Sequence, residues 1–225
     1  LSGEALIGTK QYGIDDIIIK EFGSQISQIQ KEKIELIIVI GGGNFFRGSD
    51  LEKLGIQRVT ADHMGMLATV TNSLALQSSV EQLGIDCRVM SSITIDAVCE
   101  KYIKRKAERH LEKGRVIILA AGTGNPYFTT DSAASLRAIE LNAEIMLKGT
   151  KVDGIYDKDP VKNSDAVLYQ SISYSEILKN NLEVMDATAV IMCKENNMPL
   201  KVFNILKKGS LKKAILSDKI GTIIG

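Results

Sequence analysis

Leu36-Ile37-Ile38-Val39-Ile40-Gly41-Gly42-Gly43-Asn44 decides the fold. Its first half is apolar and rich in β-branched side chains, with no polar residue to mark a wet face. That pattern predicts a strand covered on both sides, the kind found inside parallel sheets. Three glycines then end it. Val116-Ile117-Ile118-Leu119-Ala120 repeats the design and runs into Gly122-Thr123-Gly124. Parallel strands cannot be joined by tight hairpins, so each needs a crossover, usually a helix.

The flanking sequence supplies those helices. Ile18, Phe22, Ile26 and Ile29 recur at helical spacing and predict a helix over residues 15–31. Further helices are expected over 62–83, stopped by Gly84, over 101–113, stopped by Gly114, and over 131–142 and 186–196. Another follows Ser210. Strands are expected at 87–90, 144–148 and 200–204, with an apolar end at 222–224 and a hairpin-like stretch over 152–168. Ser173 and Glu176 have the spacing of a capping box. Strands alternating with helices imply an α/β fold with a mainly parallel sheet and helices on both faces. Ligands of such sheets bind beyond the carboxyl ends of the strands, so the strand-to-helix loops are the places to search.

Composition narrows the function. The 225 residues carry 28 Lys plus Arg against 27 Asp plus Glu, a net charge of +1. A nucleic-acid binder usually shows a basic excess, so none is expected here. Aromatic residues are 5% with no Trp, which weakens any base-stacking platform. The three cysteines, Cys87, Cys99 and Cys193, are scattered and form no CxxC, so neither a disulfide framework nor a zinc site is expected, and a cytoplasmic home is. No apolar run reaches the ~18 residues of a membrane span, and no signal-peptide pattern opens the chain. His63 and His110 are isolated, and no nucleophile–histidine pair can be argued.

Four loops can carry chemistry. Gly41-Gly42-Gly43-Asn44 lets the backbone approach a ligand and turn N–H groups toward an anion, and Arg47 just beyond can clamp a phosphate. It completes neither a P-loop nor GxGxxG, and an ordinary tight turn remains the alternative. Gly122-Thr123-Gly124-Asn125-Pro126-Tyr127-Phe128-Thr129-Thr130-Asp131 packs hydroxyls, amides and small residues before a helix. Asp131 reads either as an N-cap or as a carboxylate facing phosphates or their Mg²⁺. Asp62 reads either as a cap or as an acceptor for two sugar hydroxyls. Residues 148–160, with Lys148, Thr150, Tyr156 and Asp159, read either as a solvated loop or as a flat base pocket.

Taken together, Leu1-Ser2-Gly3-Glu4, the GGGN-x-x-RG run at 41–48, Asp62-His63-Met64-Gly65-Met66, TGNPYFTTD at 123–131 and TKVDG-x-YDKDP at 150–160 resemble the bacterial uridylate kinase family. That family is a branch of the amino-acid kinase superfamily, and the resemblance runs the length of the chain. It implies a three-layer αβα sandwich and ATP-dependent phosphorylation of UMP to UDP, with Mg²⁺. It implies UMP contacts at Gly42, Asp62 and Thr123 through Thr130. It implies ATP contacts at Ser2, Gly3, Gly43, Arg47, Thr150, Tyr156 and Asp159. Arg47, Asp131 and Asp186 face the reacting region. Residues 1–140 form the UMP-binding portion and 141–225 the ATP-binding portion of one domain. The family is typically a homohexamer with GTP and UTP as effectors. Its members have an apolar strand ending in Lys directly before Leu-Ser-Gly-Glu, so the natural protein is expected to continue upstream of Leu1 by such a strand. Two other readings stay open: another small-molecule kinase of the same fold, and a catalytically silent nucleotide-binding module.

Overall fold

The computed structural model describes residues 1–46, 51, 53–217 and 219–225. Arg47, named above, lies outside the described residues. The chain divides into two compact units, Leu1–Thr130 and Asp131–Gly225.

The first unit opens with a 3₁₀ turn, Gly3–Leu6, capped by the Ser2 hydroxyl, which accepts from the Glu4 N–H. Helix α1 follows at Asp16–Gln30, then β1 at Ile37–Val39, α2 at Arg58–Glu81 and β2 at Cys87–Ser91. The short β3 is Glu100–Lys101, α3 is Lys104–Glu112 and β4 is Val116–Ala120. The strand order is β1-β4-β2-β3, with every pair parallel. The central strand β4 is buried at all five positions. A strand keeps both faces dry only when elements cover both, so the doubly covered reading of 116–120 holds. Leu1 extends the ladder. Its N–H group donates to Val39 O at 2.7 Å and its carbonyl accepts from Gly41 N–H at 2.9 Å, the bonding pattern of a parallel neighbour to Ile40.

Helix α1 buries Ile19, Phe22, Ile26 and Ile29. The stripe thus starts at Ile19 rather than Ile18, and each of these side chains stabilises the fold by about 1.5–3 kcal/mol on leaving water. Asp15 caps the helix, accepting from the N–H groups of Ile17 and Ile18. Helix α2 begins at Arg58, one turn before the expected start at Asp62. Its N-cap, Gln57, makes no side-chain cap bond, so the sequence carries no start signal there. Asp62 is therefore inside the helix and not its cap.

The second unit holds most of α4, Thr130–Glu140, then β5 at Met146–Thr150, β6 at Ser171–Ile172, α5 at Tyr174–Lys179 and α6 at Ala187–Glu195. Strand β7, Leu200–Asn204, helix α7, Ser210–Leu216, and β8, Thr222–Ile224, complete it. The strand order is β5-β7-β8-β6, with β7 and β8 antiparallel and the other two pairs parallel. The expected mainly parallel sheet is thus present, as two four-stranded groups. The core gathers Met146, Ile155, Ile172, Ile177, Val190, Leu200, Val202 and Ile224. The hairpin expectation over 152–168 holds: Tyr156 bridges Leu168 in antiparallel fashion. The capping box forms as the spacing predicts, with the Glu176 N–H on the Ser173 hydroxyl and the Ser173 N–H on the Glu176 carboxylate. Strand β5 sits two residues later than expected, because its register is set by pairing of Met146 with Leu200 and not by local pattern.

All three cysteines are free thiols. Burial, helped by the Glu81 charge, pushes the Cys87 thiol up to about 12, and burial also raises Cys193 and Cys99. Cys87 and Cys193 are fully covered, whereas Cys99 is half-buried. A thiol reacts through its thiolate. In native buffer a disulfide reagent should therefore modify Cys99 first, and Cys87 and Cys193 only after denaturant is added. Prompt native reaction of all three thiols would contradict this packing.

Candidate active site

In the first unit, the turn after Leu1 and the glycine loop after β1 cross with almost no space between them. A Cβ on Gly3 would lie 2.5 Å from Gly41 O and 2.7 Å from Gly43 N. A Cβ on Gly42 would lie 2.6 Å from Gly65 O on α2. These glycines are required by close backbone approach, which is what a loop that wraps an anion needs.

Asn44 and Asn72 hold the loop in that shape. Each side-chain amide donates to the other's carbonyl oxygen, at 2.8 and 2.7 Å, and both side chains are buried. The spare N–H of Asn72 donates to Gly41 O at 2.7 Å, and that of Asn44 to Gly13 O at 3.0 Å. Three backbone stretches are thereby tied to one point on α2. One turn earlier, the Thr69 hydroxyl accepts from the Ala121 N–H at 2.7 Å, so the same helix also fixes the loop after β4.

That second loop has unusual backbone geometry. Ala121, Gly122, Gly124 and Tyr127 all have φ between 57° and 83°. For Ala121 and Tyr127 this left-handed conformation is strained, and strain of this sort clusters at ligand sites. Ser92 donates its hydroxyl to Gly122 O at 2.8 Å and so secures the turn. Asp62 anchors the far end. Its carboxylate accepts from the Tyr127 N–H at 2.7 Å and from Arg58 Nε at 2.9 and 3.0 Å. The Arg58 guanidinium also lies over the Tyr127 ring, 5.7 Å from its centroid. Tyr127 and Phe128 stand 67% and 50% exposed, which is costly for aromatics unless a ligand covers them. Thr130 closes the loop beside Gly41, whose Cβ would lie 3.2 Å from the threonine hydroxyl. The structure therefore gathers Ser2, Gly3, Gly42, Gly43, Asp62 and the 123–130 loop at the carboxyl ends of parallel strands.

In the second unit, Asp131 occupies the first turn of α4, which starts at Thr130; it is not the cap. Its carboxylate pairs with the Lys148 ammonium on β5. The next residue, Ser132, donates its hydroxyl to the Asp186 carboxylate at 3.0 Å. Asp186 is the N-cap of α6 and accepts from the Ala189 N–H. Thr150 ends β5, with its hydroxyl on Val152 O at 2.7 Å. Tyr156 is half-buried, and Asp159 accepts from the Val161 N–H at 2.9 Å. Among the described residues these last three bond to their own neighbours rather than to one another. Nor do three His, Cys, Asp or Glu side chains converge there as a metal cage. No described helix is long and apolar enough to cross a membrane.

Sequence reasoning missed Thr69, Asn72 and Ser92. A signal existed: Thr69, Asn72, Ser73 and Ser79 put polar groups along the buried face of α2, where apolar residues belong. A polar residue on a dry face must have a partner.

Glycine loops beyond parallel strands, a carboxylate over a strained loop and a lysine–aspartate pair define an α/β protein built to hold phosphate groups. The chain belongs to the amino acid kinase family, whose model matches residues 1–204. It is 53% identical to the uridylate kinase of Dichelobacter nodosus over 224 residues, spanning 100% of this chain and 93% of that one. Among solved structures it matches the UMP kinase from Ureaplasma parvum with a TM-score of 0.95 at 42% identity, covering 100% of this chain and 95% of that one. The UMP kinase from Bacillus anthracis matches with a TM-score of 0.96 at 37% identity, covering 100% and 93%.

Asn72→Ala removes one half of the amide pair and strands Asn44 and the Gly41 carbonyl in a dry site. We expect a loss of about 1–3 kcal/mol in unfolding free energy, measured by urea denaturation. An unchanged midpoint and slope would show that the pair does not hold the loop.

Proposed function

We propose that this chain transfers the γ-phosphoryl group of ATP to UMP, giving UDP and ADP. The observation that carries the reading is the cradle of the first unit: four tightly packed glycines beside a strained loop that Asp62 holds by the Tyr127 N–H. The similarity to uridylate kinases points the same way. In this reading the UMP phosphate lies against the glycine loop at Gly42, and the 123–130 loop closes over the base. Asp62 takes the ribose hydroxyls in exchange for its present partners, the Tyr127 N–H and Arg58. The exposed Tyr127 and Phe128 become covered and exclude water. ATP is held by Ser2, Gly3 and Gly43 at its phosphates, with Arg47 as a further clamp, and by Thr150, Tyr156 and Asp159. The portions 1–140 and 141–225 thus serve the two nucleotides.

Phosphoryl transfer asks little covalent chemistry of a protein and much positioning of charge. That suits a site of backbone N–H groups, carboxylates and a lysine, with no histidine or cysteine. Mg²⁺ on the ATP phosphates would neutralise charge there. The donor set fits an ion that arrives on phosphate, since Asp131 and Asp186 are two carboxylates and not a cage. A cytoplasmic homohexamer with GTP and UTP as effectors completes the proposal, on the family resemblance.

Two measurements test it. A site that hydrogen-bonds a base leaves polar groups unpaired when the wrong base enters. In an assay coupled to ADP release, kcat/KM for UMP should exceed that for CMP by about 10²-fold or more; equal values would reject the specificity. Asp62→Asn keeps an acceptor for the Tyr127 N–H but loses the charge. It should raise the KM for UMP well above any change in the KM for ATP, with an unchanged melting temperature. An unmoved KM for UMP would leave Asp62 as a latch for the loop and nothing more.

A further inference from the structure

Lys148 has a placement that strand packing does not explain. It sits in the middle of β5 with its side chain 22% exposed, between buried Met146 and the terminal Thr150. Alternation along a strand puts Met146, Lys148 and Thr150 on one side and Gly149 on the other. Gly149 faces Ile205, whose Cβ would lie 2.8 Å from a Cβ added there. Lys148 therefore shares its side of the strand with Thr150.

Its one partner among the described residues is the Asp131 carboxylate. An ammonium carries three donors, so two N–H bonds are left for something other than protein. Asp131 does not need the lysine for its own sake. A carboxylate in the first turn of a helix is already favoured by the helix dipole. Drawing a lysine off a strand into a half-covered pair costs desolvation that the pair hardly repays. The arrangement makes sense when the ammonium has a second anion to meet.

We propose that Lys148 is a catalytic residue whose ammonium touches the transferring phosphoryl group, with Asp131 as the positioning residue that aims it. The proposal rests on the ATP-to-UMP reading above. In the step, the bond between the γ-phosphorus and the oxygen bridging to the β-phosphate breaks, and its electrons stay on that oxygen, giving ADP. An oxygen of the UMP phosphate forms the new bond to the γ-phosphorus, giving UDP. A phosphate monoester is already largely dianionic at neutral pH, with a second pKa of about 6, so the attacking oxygen needs no base. Asp131 therefore has no proton to take. Lys148 keeps all its protons and balances charge as it spreads over the equatorial oxygens.

The test compares the unmutated chain with Lys148→Met and Lys148→Arg, each checked for an unchanged melting temperature. Lys148→Met should lower kcat by about 10²–10³-fold while the KM for UMP stays nearly constant. Lys148→Arg, which keeps the charge, should recover part of the loss. Calorimetric titration supplies a readout apart from turnover. Lys148→Met should weaken ATP about tenfold and leave ADP unchanged, because only ATP has the γ-phosphate. Normal kcat in Lys148→Met, or equal weakening of ATP and ADP, overturns the role of Lys148 and leaves the kinase reading standing. An unmutated chain that binds ATP but leaves UMP unphosphorylated overturns both.

Discussion

Two buried asparagines set the geometry of the first unit. Asn44 and Asn72 exchange hydrogen bonds across a dry gap and spend their remaining N–H groups on the carbonyls of Gly13 and Gly41. Buried amides are costly unless every group finds a partner, and a satisfied network fixes its neighbours in one arrangement. The glycine loop cannot drift because its first carbonyl is held, and it cannot widen because Gly3 and Gly65 crowd it from two sides. The cradle is thus preorganised before any anion arrives.

Helix α2 is the element on which this arrangement hangs. At successive turns it presents Arg58 and Asp62 to the Tyr127 end of one loop, Gly65 and Asn72 to the glycine loop, and Thr69 to Ala121. A rigid helix bearing both loops transmits the position of one to the other. The strain at Ala121 and Tyr127 is tolerated because their N–H groups are held by Thr69 and Asp62. A loop held by a carboxylate can be released when another donor takes that carboxylate, and ribose hydroxyls are such donors.

The second unit handles charge differently. Its carboxylates are each engaged by a single neighbouring group of opposite character: Asp131 by Lys148, Asp186 by the Ser132 hydroxyl, Asp153 by Lys207. The Lys207 contact holds the Asp153 carboxyl below its ordinary range. None of these pairs is a closed cage, so each can exchange a partner for a nucleotide phosphate without unfolding anything.

The doubly covered strands at 36–40 and 116–120, the α1 stripe, the capping box at Ser173 and the glycine-bounded loops were legible in the amino-acid sequence. Each rests on local causes: side-chain period, β-branching, turn chemistry. The quoted motifs were equally legible, and with them the family. What the sequence could not reveal was anything set by partners distant along the chain. The start of α2 at Arg58 lacks a cap signal, and the register of β5 depends on Leu200. Asp62 and Asp131 both had the local look of caps, yet each lies within a helix and serves a residue on another element, Tyr127 and Lys148. Asn72 looked like a polar residue on an ordinary helix until folding brought Asn44 against it, 28 residues away along the chain. Period and propensity act over a few residues and can be read from the chain. The pairing of buried polar groups is decided only when the backbone closes, because only then is water removed and a partner compulsory.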